Sequence, residues 1–465
     1  MSIYQNHDGQ TIQTAQEIGR GGEGAVYTIV GRGDLVAKIY HPAQRTAARH
    51  AKLTAMVSQP PADPCRAFVP PHHALAWPTD LLFAQDSFVG FLMPCIERSP
   101  SIVALFNPLL RAQRFPRADQ RLLYRAAQNL AVTVAAIHSR GHIIGDLNQK
   151  NILVKANALV TLVDTDSFQI VDEQEAYHHC PVGVPEYTPP ELQALPLATT
   201  VREPHHDAFG LSVLIFQLLM EGYHPFTGRP RTQALSTVEQ LSIHCMQQGW
   251  FPYSKNNAVQ PPPAAPQFTW LPAEIRRLFL QSFLLGYTNP AARPTALTWA
   301  RALGRAELAL VQCKVDQHHW YSGHLKACPL VKWRPGAFLC VAKPNHSVFP
   351  QAVRANREPY DNERWNQHRD QHRDQHRSLP VGASPTHYKV VAGHPGPHWY
   401  LRGADAAEQW LLAYRCCIAL SAARKSGRQL SAAIPERCLS RHAAGRTPWF
   451  PGSGDRRALA GHRRA

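Results

Sequence analysis

The chain of 465 residues lacks any long apolar run. Its most apolar stretches, Leu211–Met220 and Leu278–Leu285, are much shorter than the ~18–20 residues that cross a bilayer. Residues 1–10 are polar and have neither the basic start nor the apolar stretch of a secretory signal. The ten cysteines are scattered, which indicates reduced thiols or a metal site rather than a disulfide framework. We therefore expect a cytoplasmic protein.

Acidic residues are also scarce, with 33 Asp and Glu against 49 Lys and Arg, for a net charge of +16. Most of this charge lies in residues 351–465, which carry 17 Arg, 2 Lys and 9 acidic residues, while residues 1–350 carry a net charge of only +6. The tetrapeptide Gln-His-Arg-Asp repeats from Gln367. We expect residues 341–465 to be a low-complexity, disordered tail, and three interpretations stay open: an Arg-rich nucleic-acid-binding arm, a regulatory tail, or out-of-frame translation.

Predicted strands come first along the chain and predicted helices follow. This order predicts an α+β fold with a small β-rich lobe, about residues 14–94, and a larger helical lobe, about residues 95–305. Residues 1–13 are predicted to be an N-terminal extension. The cleft between the lobes is the expected ligand site.

The first motif in this region is a glycine-rich turn followed by an apolar strand that carries one lysine, Lys38. Glycine backbones allow phosphates to approach closely, and a lysine beyond them supplies a cation. The candidate nucleotide-contacting positions are Gly19, Gly21, Gly22, Gly24, Val26, Ala37 and Lys38.

Two further segments place polar residues in apolar surroundings, where unpaired polar groups are costly. Asp146 and Asn151 lie five residues apart, and Asp164 follows an apolar run 13 residues after Asn151. Their carboxylate and amide oxygens are ligands that suit Mg²⁺.

Together these motifs resemble the eukaryotic-type Ser/Thr protein kinases, and more motifs follow in the family's order. They are Pro189-Pro190-Glu191, Asp207–Leu211, Gly222 with Pro225-Phe226, and Arg293-Pro294-Thr295. The resemblance covers about residues 14–305. The segments at Gly145–Asn148 and Pro181–Leu192 are similar to a bacterial branch, the YegI-type kinases, whose genes tend to accompany a PP2C-type phosphatase and a von Willebrand factor A protein.

The resemblance implies an ATP- and Mg²⁺-dependent transferase that acts on protein Ser or Thr hydroxyls. Asp146 would accept the hydroxyl proton, Asn151 and Asp164 would hold Mg²⁺, and Lys38 would position the phosphates. The adenine pocket would lie by the apolar strand of residues 91–95, with the backbone amides of Met93 to Cys95 as the adenine contacts. Glu191, Asp207 and Arg293 would be structural, with Asp207 at the N-cap of its helix and Arg293 paired with Glu191.

Several positions depart from the family pattern. Gly145 replaces an arginine that normally receives an activation-loop phosphate, so we expect activity without that phosphorylation. Asn148 replaces a lysine, and Lys150 is a candidate to supply its phosphate contact. Asp166 replaces a glycine and either adds charge near the metals or caps a turn; we favour the turn.

The helix predicted at Ala43–Ser58 contains no acidic residue, so the usual carboxylate partner of Lys38 is missing. Lys38 is then oriented by Asp164, by ATP, or by an acidic group from elsewhere. This absence motivates an alternative function, an ATP-binding pseudokinase scaffold with little turnover. A second alternative is a nucleic-acid-binding protein that acts through its basic tail.

Cysteines and histidines cluster in residues 306–340, a segment that resembles a degenerate zinc ribbon. Zinc usually takes four nitrogen or sulfur ligands. The candidate ligands are Cys313, His318, His324 and Cys328, with His319 as a further substitute. The alternative is a metal-free relic.

Overall fold

The computed structural model describes residues 2–66, 68, 71–231, 240–255 and 258–331. The predicted tail, residues 341–465, lies outside this part of the chain. Within the described residues, no helix has the length and apolar character that a bilayer span requires.

Six antiparallel strands form a closed barrel in the order β1-β2-β3-β4-β6-β5. They are β1 Ile3–Asn6, β2 Thr11–Arg20, β3 Gly24–Ile29, β4 Arg32–Tyr40, β5 Asp80–Ala84 and β6 Ser87–Pro94. Strand β1 pairs with both β2 and β5 and so closes the barrel. The segment predicted to be an N-terminal extension, residues 1–13, is therefore part of the small lobe, because β1 satisfies two strand edges that would otherwise be open.

The alternation of side chains along β4 decides what each residue faces. Ala37 is fully buried in the barrel core with Ile12, Ile39 and Leu92. Its neighbour Lys38 points to the opposite face, toward the large lobe. The prediction that Ala37 contacts the nucleotide is therefore wrong, since a strand residue adjacent to the cleft-facing lysine must face away from the cleft.

In the small lobe, helix α1, Ala47–Ser58, packs on the barrel. The large lobe is mainly helical, which confirms the predicted α+β order. The other helices are α2 Val103–Phe106, α3 Pro108–Arg114, α4 Gln120–Ser139, α5 Pro204–Leu219, α6 Leu241–Gln247, α7 Ala273–Leu280, α8 Gly286–Thr288 and α9 Ala296–Leu308. The short strands are β7 Ile152–Val154, β8 Val160–Leu162, β9 Ile170–Val171, β10 Tyr177–His178, β11 Arg229–Pro230, β12 Val259–Gln260, β13 Leu310–Gln312 and β14 Trp320–Ser322.

Helix α5 is the centre of the large-lobe core, and every residue from Asp207 to Leu219 is buried. Phe216 packs edge-on against Phe279, and Trp299 from α9 closes the layer. Helix α5 begins three residues before Asp207, after the capping residue Glu203. The prediction of Asp207 as N-cap is thus wrong, and its carboxylate is free to hold another part of the chain.

Candidate active site

Lys38 lies at the junction of the two lobes and forms a buried ion pair with the large lobe. Its Nζ lies 2.7 and 2.6 Å from the two carboxylate oxygens of Asp166, and 3.3 Å from Asp164 Oδ1. The Tyr40 hydroxyl donates to Asp166 Oδ2 at 2.6 Å. The side chains of Lys38 and Asp166 are only 12% and 5% exposed, so water screens this pair weakly.

Burial alone disfavours the charged form of both partners, yet the pair stays ionised. The facing charges of Asp166 and Asp164 outweigh the burial of Lys38 and raise the pKa of its ammonium. Burial likewise opposes ionisation of Asp166, but Lys38 and the Tyr40 hydroxyl lower the pKa of that carboxyl to about 2. A fixed cation therefore stands where β4 meets the large lobe.

We predicted that Asp166 caps a turn, but its carboxylate instead binds Lys38. It lies in the 3₁₀ turn Thr165–Ser167, but its carboxylate reaches across to Lys38. It thereby supplies the acidic partner that helix α1 lacks. Of the three predicted partners of Lys38, Asp164 lies at the longer distance and Asp166 is the acidic group from elsewhere. The sequence signal for Asp166 is a second aspartate two residues after Asp164, in a chain that has no acidic residue in α1.

Helix α1 instead presents Arg49, which stacks over the Tyr40 ring at 4.4 Å. Arg49 also pairs with Glu23 of the glycine-rich turn at 3.0 Å between Nη2 and Oε1. A basic residue on α1 thus ties the turn between β2 and β3 to the helix. In the small lobe, α1 contributes a cation where the family pattern has an anion.

Asp164 and Asn151 are held side by side by the β7–β8 hairpin. The Val163 amide donates to the Asn151 carbonyl at 2.9 Å, which places Asp164 one residue beyond this bond. Asp164 adopts the left-handed backbone conformation, with φ 58° and ψ 36°. That conformation costs free energy in a non-glycine residue, about 1 kcal/mol, and is held where the surroundings enforce it. A carboxylate and an amide oxygen form a hard donor set that fits Mg²⁺.

Asp146 lies in a loop beside these two residues and accepts hydrogen bonds from two amides. Asn148 Nδ2 donates to Oδ1 at 3.0 Å, and Asn151 Nδ2 donates to Oδ2 at 3.3 Å. Burial raises the pKa of Asp146, and the two amide donors oppose that shift. Asn148, which replaces the family's lysine, therefore orients Asp146, while the predicted substitute Lys150 is solvent-exposed.

Asp207 anchors the loop that carries Asp146 through the backbone amides of that loop. The amides of Ile144 and Gly145 each donate to the Asp207 carboxylate at 2.8 Å, and the His138 ring donates to it at the same distance. Asp207 is therefore structural, as predicted, though by a different contact. The predicted pair of Arg293 with Glu191 is also present, with Nη2 to Oε2 at 2.9 Å.

The glycine-rich turn leaves room for a ligand at some positions and is closed at others. A Cβ on Gly24 would lie 2.3 Å from the Ile39 carbonyl oxygen, so only glycine fits there. The Gly21 amide donates to the Gly24 carbonyl at 2.8 Å and shapes the turn. Gly19 has open space around its Cα. Gly22, between these positions, is half-buried.

The face of the barrel that carries Lys38 follows from strand register. Val26 and Lys38 are direct partners across β3 and β4, so Val26 shares the face of the lysine. Val36 and Met93 are partners across β4 and β6 and lie on that same face. Val36 was missed, although the period of two along β4 identifies it.

Cys95 does not present a free amide at the end of β6. Its N–H donates to the Asp34 carbonyl at 2.8 Å and extends the pairing with β4. The prediction that this amide contacts adenine is therefore not supported by the geometry, because the donor already has a partner. Met93 lies opposite Val36, on the face of the sheet that carries Lys38.

Gly145 has a structural reason to be glycine. Its φ is +73°, and a Cβ there would lie 2.4 Å from Arg202 Nη1 and 2.8 Å from Cys180 Cβ. The buried Arg202 thus fills the space beside the catalytic loop and donates to the Val182 carbonyl at 2.7 Å. Lys52 of α1 donates to the His179 carbonyl at 3.2 Å. Two cationic side chains hold the segment around Cys180 through its backbone, without a phosphate.

The structure brings only two of the four predicted zinc ligands together. Cys313 and Cys328 lie together, but the histidine beside them is His319. The His324 ring is hydrogen-bonded to the Ser322 hydroxyl and the Thr269 carbonyl. Neither His318 nor His324 joins the cluster found among the described residues.

Comparison with known proteins agrees with this geometry. Residues 82–299 match the protein kinase domain. This part of the chain is therefore a protein kinase domain.

The chain is similar to protein kinase YegI of Escherichia coli O157:H7, with 35% identity over 324 residues. It is 34% identical over the same length to protein kinase YegI of E. coli strain K12. These alignments cover 69% of this chain but 49% and 48% of the two relatives, so the chain spans about half the length of the curated relatives it matches. The chain is placed in the YegI branch of bacterial kinases, as the motifs predicted.

Proposed function

We propose that this protein is a serine/threonine protein kinase that transfers the γ-phosphoryl group of ATP to a protein hydroxyl, with Mg²⁺ as its metal. The observation that carries the proposal is the convergence of Lys38, Asp146, Asn151 and Asp164 at the junction of the lobes. A scaffold that only binds nucleotide has no need of a proton acceptor held by two amide donors.

Each residue has a defined part in this proposal. Asp146 accepts the proton of the attacking hydroxyl as the new oxygen–phosphorus bond forms and the bond to the β-phosphate oxygen breaks. Lys38 and the glycine-rich turn position the phosphates. Asn151 and Asp164 would hold Mg²⁺, which offsets the negative charge of the phosphates when it is bound.

Asp166 answers the strongest argument for a pseudokinase. The missing carboxylate on helix α1 suggested that Lys38 is unanchored. Asp166 lies 2.6 Å from Lys38 Nζ and is itself held by Tyr40. We therefore propose that Asp166 is the positioning residue for Lys38 and that the site is assembled for turnover.

The experiment is transfer of label from [γ-³²P]ATP to a general protein acceptor, or to the chain itself, with Asp146→Asn as control. Transfer by the wild type, absent from the variant, with label recovered on Ser or Thr, supports the proposal. If neither protein transfers label but both still bind ATP, the result supports the scaffold alternative instead.

Regulation and partners are a separate part of the proposal. The resemblance to YegI-type kinases implies cytoplasmic signalling with a PP2C-type phosphatase and a von Willebrand factor A protein. Co-purification of these proteins from the native host tests this part. The nucleic-acid alternative concerns residues 341–465, outside the described residues, and salt-sensitive DNA binding lost on deleting them would favour it.

A further inference from the structure

A second site of metal-binding character lies beyond the kinase lobes, in the hairpin of β13 and β14. These strands pair antiparallel with Gln312 opposite Trp320. The Cys313 amide then donates to the His319 carbonyl at 2.9 Å, so the two residues face each other at the loop end of the hairpin. The chain returns after β14 and brings Cys328 to the same place.

The three side chains converge at distances that suit one metal ion. Their ligating atoms all lie within 4.8 Å of one another, and Cys328 Sγ is 3.9 Å from His319 Nδ1. Tetrahedral zinc with Zn–S of about 2.3 Å and Zn–N of about 2.0 Å separates its ligands by roughly 3.5–3.8 Å. The cluster therefore needs only a slight contraction to enclose zinc.

Backbone amides surround both sulfur atoms. The Val315 amide donates to Cys313 Sγ at 3.3 Å, and the Asp316 amide donates to the same sulfur. The amides of Leu330 and Val331 donate to Cys328 Sγ. Each cysteine thus begins a tight turn whose following N–H groups point at its sulfur, an arrangement that stabilises negative charge on a metal-bound thiolate.

The histidine is oriented by a carboxylate on its far side. Asp316 Oδ2 lies 3.4 Å from His319 Nε2, while Nδ1 faces the sulfurs. A ligating histidine commonly donates its other ring N–H to a carboxylate, which fixes the tautomer that leaves the first nitrogen free to bind.

We infer that Cys313, His319 and Cys328 bind one zinc ion, with Asp316 supporting His319 and a water molecule in the fourth position. This replaces the predicted ligands His318 and His324. The metal would fasten the chain segment around Cys328 to the loop end of the hairpin, whose Trp320 ring lies 3.9 Å from the Arg121 guanidinium of the large lobe. The inference is independent of the proposed phosphotransfer.

The test is zinc content of the purified full chain, measured by mass spectrometry of the metal. The wild type should hold about one equivalent, and Cys313→Ser, Cys328→Ser and His319→Gln should each lose most of it. His318→Gln is the matched control and should retain zinc, since it is the adjacent histidine outside the cluster. Zinc retained in Cys313→Ser, or lost equally in both histidine variants, would overturn the assignment.

Cobalt substitution tests the site in the wild-type protein, so its result does not depend on whether the variants fold. Co²⁺ added to the chelator-treated wild type should give the near-ultraviolet charge-transfer band of thiolate coordination together with visible bands of tetrahedral geometry. A spectrum without the thiolate band, or a Cys313–Cys328 disulfide in place of metal, would contradict the inference.

Discussion

Neutralising Asp166 should loosen Lys38 and weaken catalysis without removing any group that touches the transferred phosphoryl. In Asp166→Asn, Lys38 keeps only Asp164 as a described carboxylate partner, at 3.3 Å. The ammonium would then draw that carboxylate away from its proposed metal position. We expect this competition to lower activity more than the loss of a surface charge pair would.

The magnitude follows from burial. Removing one partner of a buried ion pair costs about 3–5 kcal/mol, because the other charge stays buried. Asp164 compensates in part, so we expect the unfolding free energy to fall by roughly 2 kcal/mol. If the transition state loses a similar amount of stabilisation, roughly 2 kcal/mol, kcat/KM for ATP should fall about 30-fold, since about 1.36 kcal/mol corresponds to a factor of ten in rate.

The assay is steady-state phosphotransfer at varied ATP, with stability measured by urea unfolding of the same samples. Asp166→Glu should recover part of the activity, since it restores the charge, and Tyr40→Phe should show a smaller loss in the same direction. A purely structural role would reduce the active fraction and leave the KM for ATP unchanged. Wild-type kcat/KM in Asp166→Asn would refute the reasoning.

Three further predictions concern parts of the large lobe. Phosphatase treatment should leave activity within about twofold of the untreated protein, because Arg202 and Lys52 hold the activation segment through carbonyls; a collapse would contradict this. Burial lowers the pKa of His224 to about 4, against its hydrogen bond to the Glu186 carbonyl. The unfolded histidine, with a pKa near 6.5, takes up its proton first, so stability should fall as pH drops from about 6.5 to 4. His224→Gln should reduce that fall in urea unfolding, and an unchanged profile would exclude His224 as its source. Arg293→Leu should lower the unfolding free energy by about 3–5 kcal/mol, because it removes the fully buried cation that pairs with Glu191, while the exposed control Arg301→Leu should be neutral; equal midpoints in thermal unfolding would contradict this.

The order of the lobes and the candidate active-site residues that lie together in the structure could be predicted because their signals are local. Asp146 and Asp164 follow apolar runs, Asn151 precedes one, and the β7–β8 hairpin lies between Asn151 and Asp164. Helix α9 begins at Ala296 because Thr295 caps it and accepts from the Thr298 amide, which is also a signal local in sequence.

The contacts that were missed join residues far apart in the chain. Lys38 and Asp166 are separated by 128 positions, and the one local signal is the second aspartate that follows Asp164. The barrel closure by Ile3–Asn6 is equally remote from β5. In the Cys/His segment, spacing alone did not separate His318 from His319, because adjacent residues near a strand end face opposite sides.

One error had a local remedy. Ala37 and Val36 are neighbours on β4, and Lys38 fixes the face of the cleft. Counting back two positions from the lysine selects Val36 rather than Ala37. Motif matching identifies the strand that carries Lys38. The alternation of side chains along that strand then decides whether Val36 or Ala37 faces the cleft.

The central claim is that this kinase fold carries an assembled active site. The most direct measurement is γ-phosphoryl transfer from Mg²⁺-ATP by the full chain beside Asp146→Asn, with ATP binding measured on both. We predict label on Ser or Thr with the wild type, none with the variant, and similar ATP affinity for the two. ATP binding without transfer by either protein would contradict the account.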